Sequence, residues 1–291
     1  MTHVYTRGET FAGIAERYYG NASMEPVIVA ANFIYVQSSP ALATGVHLTI
    51  PTVRYVRVST GDSWERLANR HLGDGRRGPY LARINGAAFN VPPSAGAVVR
   101  LPYLLRYVVT TDEPLFEVAR RFYGDRAQVQ FITEFNHLPS QRLARNQTLL
   151  LPLSDLVLRD PDPAGPDAAL VAAHGAQRRV ERDVPVLEQY VARGLWVEAV
   201  GLGARLAAAD SLSTTQRVAV NRSLAVAYAA LDRRDLAADA FRAVIAADPE
   251  WSPDPDLTPP KVLDAWLLAR GSAPSRVLRP APPTSRPDEA H

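Results

Sequence analysis

A stretch that occurs three times constrains this chain of 291 residues more than any other feature. The three copies are Gly8–Gly20, Gly61–Gly73 and Asp112–Gly124, at offsets of 53 and 104 residues, and they align without a gap. The same two offsets carry Asn32 onto Asn85 and Asn136. Self-similarity at a period of about 50 residues is typical of a tandem array of one small structural unit. We therefore expect the N-terminal half to consist of three such units.

The first copy predicts how the unit begins. Residues 2–5 alternate and are rich in β-forming side chains, which favours a short strand. A turn at Gly8 follows, and Thr10 is placed to cap the next helix with its hydroxyl group. The apolar residues of Phe11–Tyr19 recur at helical spacing, and Gly20 is placed to end this helix in a left-handed conformation.

The second part of the unit is predicted to be a helix and a closing strand. Residues 21–23 open the second helix, with Ser23 as its expected cap, and Asn32 ends it. The closing strand is expected over Val46–Ile50, where Pro51 stops it. The predicted order of elements is therefore β-α-α-β.

One tight turn is expected before each closing strand. Gly45, Gly96 and Asn146 each lie six residues before a proline that ends the unit. Glycine and asparagine are the residues that most readily adopt a left-handed backbone. The sequence therefore predicts the same turn in all three copies.

The Gly-acid-Thr turn, the β-α-α-β order and the Leu-x-Ile-Pro ending resemble the LysM module. On this resemblance the fold class is an α+β N-terminal half of three βααβ modules, over residues 1–52, 53–103 and 104–153, followed by an all-α half. The third copy departs from the pattern, because Asp112 replaces the turn glycine and Pro114 removes the hydroxyl group that would cap the helix.

The resemblance implies a shallow groove that binds N-acetylglucosamine (GlcNAc) stretches of peptidoglycan or chitin. The groove would lie between the strand-to-helix turn and the loop after the second helix, where backbone groups pair with N-acetyl amides. The implied ligand-binding residues are Gly8, Glu9, Thr10, Phe33, Ile34 and Tyr35 in the first copy, Gly61, Asp62, Ser63 and Phe89 in the second, and Asp112, Glu113, His137 and Leu138 in the third. Three weak sites in tandem would bind a repeating polymer through avidity.

Other roles stay open for several of these positions. Phe11, Trp64 and Leu115 stand at the first core-facing position of their helices and are expected to be buried, not to contact a ligand. The three turn acids could favour a helix N-terminus instead of touching a ligand. Residues 33–35 could contact a sugar or bury against a neighbouring repeat. The two-residue linkers between the copies predict repeats that pack together.

A joint rich in proline and aspartate, residues 154–167, separates the repeats from a helical half at residues 168–270. Four helices are expected at residues 168–193, 196–209, 214–231 and 236–248, with a closing segment at 258–270. The last pair resembles one tetratricopeptide repeat through Leu224, Ala225, Tyr228, Ala237, Phe241 and Pro249. This resemblance implies contact with a protein partner, although a passive spacer is an equal alternative. Residues 271–291 are expected to form a disordered tail.

The search for chemistry in the sequence gives no catalytic motif. There is no Cys, the six His are dispersed, and no nucleophile elbow or phosphate-binding loop occurs. The sequence therefore predicts no metal, no cofactor and no enzyme activity. The net charge is +2 and the Arg residues alternate with acids, so nucleic-acid binding is only weakly indicated. No membrane span or export signal is recognised, which predicts a cytoplasmic chain, or a chain in the cell envelope if another route exports it.

The leading hypothesis is a non-catalytic bacterial protein that holds a GlcNAc polymer through LysM modules and a protein through its helices. The alternative is a structural adaptor, inside the cell or in a phage-tail-like or contractile injection particle, in which these folds only pack against other proteins.

Overall fold

The computed structural model describes residues 1–34, 43–209 and 212–271. The chain divides into two compact units, Met1–Gln177 and Arg178–His291. The first unit is mixed α/β and the second is helical, so the coarse fold class predicted from the sequence is confirmed. Tyr35 and residues 272–291 lie outside the described residues, and so do the predictions made for them.

Each repeat forms one antiparallel pair of strands and two helices. The first repeat contains β1 (Thr2–Val4), α1 (Phe11–Tyr19), α2 (Glu25–Ala31) and β2 (His47–Thr49). The second contains β3 (Arg54–Arg57), α3 (Trp64–Leu72), α4 (Gly78–Ile84) and β4 (Val98–Leu101). The third contains β5 (Tyr103–Val108), α5 (Leu115–Tyr123), α6 (Val129–Phe135) and β6 (Thr148–Leu153). β1 pairs with β2, β3 with β4 and β5 with β6, in three separate two-stranded sheets.

The predicted start and end of the first helix are confirmed. The side chain of Thr10 accepts a hydrogen bond from the backbone N–H of Gly13 at 3.0 Å, and α1 spans the expected residues. Gly20 ends it with a φ of 68°. The turn before each closing strand is also as predicted, since Gly45, Gly96 and Asn146 all have positive φ.

The start of the second helix was predicted incorrectly. Residues 22–24 form a short 3₁₀ turn, and α2 begins only at Glu25. Asn21, not Ser23, is the capping residue, because its Oδ1 accepts from the backbone N–H of Ser23 at 3.0 Å. Asparagine and aspartate side chains readily make this bond to the residue two positions ahead. Asp74 and Asp125 do the same in the other two repeats.

The predicted burial of the first residue of the first helix is confirmed in two of the three repeats. Trp64 and Leu115 are buried, whereas Phe11 is only half-buried. The first repeat also packs on the third, because Val27 and Ala30 of α2 share a core with residues of β5, α5 and β6. Repeats therefore contact one another inside the first unit, as their short linkers predict.

The helical half contains α7 (Ala168–Ala192), α8 (Trp196–Ala207), α9 (Thr214–Ala230), α10 (Arg234–Ala247) and α11 (Pro260–Gly271). These bounds lie within a few residues of the predicted ones. The division between the two compact units falls inside α7. The core of the second unit is rich in alanine and is centred on Phe241, which is fully buried.

Candidate functional site

An asparagine at the end of the second helix ties each repeat together. Asn85 donates from Nδ2 to the backbone C=O groups of Leu81 and Arg100, and its Oδ1 accepts from the N–H of Arg100 at 2.7 Å. Asn32 and Asn136 make the same three hydrogen bonds in their own repeats. The side chain therefore fixes the closing strand against the helix, and with it the start of the following loop.

The acid of each strand-to-helix turn pairs with an arginine eight residues further on. The ion pairs are Glu9–Arg17 at 3.9 Å, Asp62–Arg70 at 2.9 Å and Glu113–Arg121 at 2.8 Å. The arginines lie on the first helix of each repeat, so each pair links the turn to the helix that it opens. The acid and the arginine recur eight residues apart in all three copies of the sequence, but the turn motif alone does not predict that they pair.

Further hydrogen bonds hold two of these carboxylates in their turns. Glu9 Oε2 accepts from the backbone N–H of Thr6 at 2.7 Å and contacts His3 Nε2 at 2.9 Å. These contacts, the backbone N–H first, lower the pKa of Glu9 to about 2. The backbone N–H of Ser59, followed by Arg70, lowers the pKa of Asp62. Both turns therefore keep a negative charge at neutral pH.

The third turn is built differently around its acid. The Tyr107 hydroxyl group donates to Glu113 and accepts from Arg121 at 2.9 Å. Burial, reinforced by Glu113, raises the pKa of Tyr107 to about 12. Pro114 precedes α5 without a side-chain cap, as the sequence predicts.

The corners of the three turns face solvent. Gly8 and Gly61 are exposed and adopt φ of 94° and 81°, and Asp112 is exposed as well. Ser63 caps α3, since its Oγ accepts from the N–H of Arg66 at 3.2 Å. The corners are therefore not covered by neighbouring repeats.

The other predicted site residues lie in the loops that follow the second helix of each repeat. Phe33 and His137 have φ of 54° and 51°, at positions equivalent to Gly86 in the second repeat, whose φ is 70°. The side chain of Phe33 is 63% exposed. Ile34 packs on the core of the first repeat, and Leu138 packs on that of the third.

Turn and loop come together in the second repeat. The Trp64 indole N–H donates to the backbone C=O of Val91 at 2.7 Å, which ties the loop to the start of α3. A Cβ added to Gly78, the first residue of α4, would be 2.9 Å from the Phe89 ring and 3.2 Å from backbone atoms of Trp64 and Glu65. The ring therefore lies close to the start of α3 as well. The loop thus forms a wall next to the Gly61–Asp62–Ser63 turn.

In the third repeat the turn meets the loop at Arg142 instead of at the predicted His137. Pro114 forms an isolated antiparallel bridge with Arg142. His137 Nε2 instead contacts Asp74 of the second repeat at 2.8 Å.

Within residues 1–34, 43–209 and 212–271, no group of three metal-ligating side chains occurs. No helix in these same ranges has the length and apolar content needed to cross a bilayer.

Each repeat is thus a small βααβ module with a solvent-facing turn and an asparagine that fixes the start of its loop. Residues 107–152 match the LysM domain family, so the chain contains a LysM domain in its third repeat. This match indicates binding to peptidoglycan or another GlcNAc-containing glycan.

Two proteins from Mycobacterium tuberculosis, strains CDC 1551 / Oshkosh and ATCC 25618 / H37Rv, are each 31% identical to the chain over 135 residues. Both are named esterases. The matched stretch covers 46% of this chain and 29% of each relative, so the chain spans under a third of their length. No solved structure matches the chain.

These relatives contradict the prediction that the chain has no enzyme activity, because both carry the name of an enzyme. That prediction rested on the absence of familiar motifs. Catalytic groups that come together only in the fold leave no such motif in the sequence.

Proposed function

We propose that all three repeats are LysM-type modules and that together they bind a GlcNAc-containing polymer such as peptidoglycan or chitin. The observation that carries this proposal is the recurrence of one set of contacts. Asn136 lies within residues 107–152, which match the LysM family. It makes the same three hydrogen bonds as Asn32 and Asn85. The acid-to-arginine pair of the turn recurs in the same way.

The proposed groove lies between each solvent-facing turn and the loop that follows the second helix. In the second repeat, exposed Gly61 and the wall formed by Phe89 offer backbone groups and an apolar surface. An N-acetyl group needs both, because its amide requires hydrogen-bond partners and its methyl group favours an apolar contact. In the first repeat, exposed Phe33 offers an apolar side chain at the start of the same loop, directly after Asn32.

The three repeats together would bind a polymer with higher affinity than one repeat alone. The contacts between repeats limit their relative motion, since Val27 and Ala30 pack into the core of the third repeat. A polymer that engages one groove would find the others at a high effective concentration.

For the helical half we propose a protein-binding role through a tetratricopeptide-like pair formed by α9 and α10. The small side chains of Ala225 and Ala237 are fully buried in the common core, as close helix contact requires. For the location we propose two alternatives, the cytoplasm or, if another route exports the chain, the cell envelope, and cell fractionation with an antibody against the chain would distinguish them.

Sedimentation of the full-length protein with purified peptidoglycan and with chitin tests the glycan proposal. We expect the wild-type protein to sediment with at least one polymer and Phe33→Gly to sediment less. Glycine suits the positive φ at this position, as Gly86 does in the second repeat, so the change removes the side chain without straining the fold. Leu267→Ala serves as control, because it removes a side chain that is 64% exposed in the second unit.

If the wild-type protein remains in the supernatant with both polymers, the glycan proposal is wrong. The structural-adaptor hypothesis then becomes the better account. Equal sedimentation of wild type and Phe33→Gly would instead exclude the first groove as a binding site.

A second candidate function is ester hydrolysis, which the names of the two relatives favour. Purified chain would be incubated with a chromogenic short-chain ester, and turnover compared with that of a heat-unfolded sample. A fluorophosphonate probe followed by peptide mass spectrometry would identify a reactive serine. Absence of both turnover and labelling would contradict hydrolysis by this chain.

A further inference from the structure

A cleft separate from the proposed turn grooves lies between the second and third repeats. It has a volume of about 570 Å³, within the range of small-ligand sites. It is bounded mainly by α4 of the second repeat and α6 of the third. The side chains that concern its chemistry are Arg77, Tyr80, Arg83, Phe131, Glu134 and Phe135.

Three aromatic rings line one side of the cleft. The ring centroids of Tyr80 and Phe131 are 5.0 Å apart, and those of Tyr80 and Phe135 are 5.5 Å apart in an edge-on arrangement. The Tyr80 hydroxyl group donates to the backbone C=O of Pro152 at 3.1 Å. This contact orients the Tyr80 ring within the cleft.

Two arginines bring positive charge to these rings. The guanidinium group of Arg83 lies 5.5 Å from the Phe131 centroid and 5.7 Å from that of Tyr80. Among the described residues, Arg83 has no carboxylate or hydrogen-bond partner for its side chain. The guanidinium group of Arg77 lies 4.3 Å from the Phe135 centroid and donates to the backbone C=O of that residue. Burial lowers the pKa of Arg77, which indicates a partly desolvated cation.

The other charged groups at the cleft are largely paired. Arg76 forms an ion pair with Asp74 at 2.9 Å, and His137 contacts the same carboxylate. Glu134 accepts a hydrogen bond from Gln130 Nε2 at 2.8 Å. Glu134 is therefore the one acid among the described lining residues that could balance Arg77 and Arg83. The cleft has an excess of positive charge.

We propose that this cleft binds a sugar that carries a phosphate or carboxylate group. Arg83 already holds an exposed guanidinium group without an acid, and such a group makes charge-assisted hydrogen bonds to either anion. The apolar face of a sugar ring suits the aromatic side, while Gln130 and Glu134 offer partners for hydroxyl groups. Of the predicted groove residues, His137 lines this cleft, but no turn residue does, so binding here does not depend on the function of the turn grooves.

Calorimetric titration of the full-length protein would test this proposal. The ligands are GlcNAc-6-phosphate and N-acetylmuramic acid, which carry the two anions, with uncharged GlcNAc, inorganic phosphate and a single-stranded oligothymidine as comparisons. We expect at least one of the two anionic sugars to bind about tenfold more tightly than GlcNAc or phosphate. Arg83→Gln should remove most of that advantage, whereas Arg106→Gln, an exposed arginine on β5, should not.

The two anionic sugars distinguish a phosphate from a carboxylate as the preferred group. The proposal is wrong if neither binds more tightly than GlcNAc, if phosphate alone binds as tightly, if the oligonucleotide binds best, or if Arg83→Gln has no effect. Because Arg83 is exposed, thermal unfolding of the variant should match that of wild type. Sedimentation with chitin should be unchanged in Arg83→Gln, so failure here is separable from failure of the turn-groove proposal.

Discussion

The two compact units of this protein hold their elements together in different ways. In the first unit the strands contain three to six residues and most helices seven to nine, and side chains such as Asn85 bond directly to the backbone of another element. In the second unit α8–α11 contain 12 to 17 residues and pack through alanines around Phe241.

This difference follows from how much apolar surface each element can bury. A small unit buries a lower fraction of its surface than a large one, so its core alone gives little stability. A short strand also leaves many backbone groups without partners inside its own sheet. Polar side chains at fixed positions supply those partners in the repeats, whereas the long helices satisfy their own backbone groups.

The largest expected effect is in the second unit. Phe241→Ala should lower the free energy of unfolding by about 3–5 kcal/mol, because it leaves a cavity in the core. Phe241 contacts Trp251 and Trp266 at centroid distances of 6.1 and 5.4 Å, so tryptophan fluorescence in urea would follow this transition. Leu267→Ala is the control, and a loss of similar size in both variants would contradict the assignment of Phe241 to the core.

Asn85→Ala tests the polar contribution in the first unit. We expect a loss of about 2 kcal/mol or more, since the change removes three hydrogen bonds and leaves the N–H of Arg100 without its partner. Hydrogen exchange measured on peptides would show faster exchange along β4. If exchange at β4 and the stability both stay unchanged, the proposed difference between the two units does not hold.

A pair of glycines in α8 tests how closely the helices of the second unit pack. A Cβ on Gly203 would lie 2.7 Å from Leu224 Cδ2, so Gly203→Ala should lower stability by about 1 kcal/mol even after the gain in helix propensity. Gly201→Ala places its Cβ 3.9 Å from the nearest atom, the flexible end of Arg205, and should raise stability by about 0.5–1 kcal/mol. Thermal unfolding of the two variants would compare them directly, and the same sign for both would refute tight packing at Gly203.

The smallest expected effect concerns the first turn and depends on pH. Because folding lowers the pKa of Glu9 to about 2, its contribution to stability is present above its usual value near 4.5 and is lost as the pH falls towards 2. Glu9→Gln should therefore be less stable than wild type at pH 7, and the difference should shrink by pH 3. Urea unfolding at several pH values measures this, with the exposed Glu65→Gln as control. A difference that is constant with pH would show that the carboxylate charge plays no part.

Much of the candidate site was predictable because it repeats. The offsets that align the three turns also placed Thr10 as a cap and Gly20 as a helix end, and both are confirmed. The 3₁₀ turn capped by Asn21 was missed, because a polar run at a helix start does not show which side chain accepts the hydrogen bond. The ligand-binding role of the turn and loop residues stays a prediction.

The contact of His137 shows where prediction from one repeat fails. Its position in the motif placed it beside Asp112 and Glu113, but its ring contacts Asp74 of another repeat. A motif describes neighbours within a unit and carries no information on what the next unit brings to the same surface.

The sequence by itself determined the periodic elements of this protein, because helix spacing, caps and left-handed turns depend on residues close together in the chain. Only the tertiary structure decided which repeats share a core and that Arg83 lies over the rings of Tyr80 and Phe131. Those contacts join residues far apart in the sequence. They depend on how complementary surfaces pack, which no local pattern specifies.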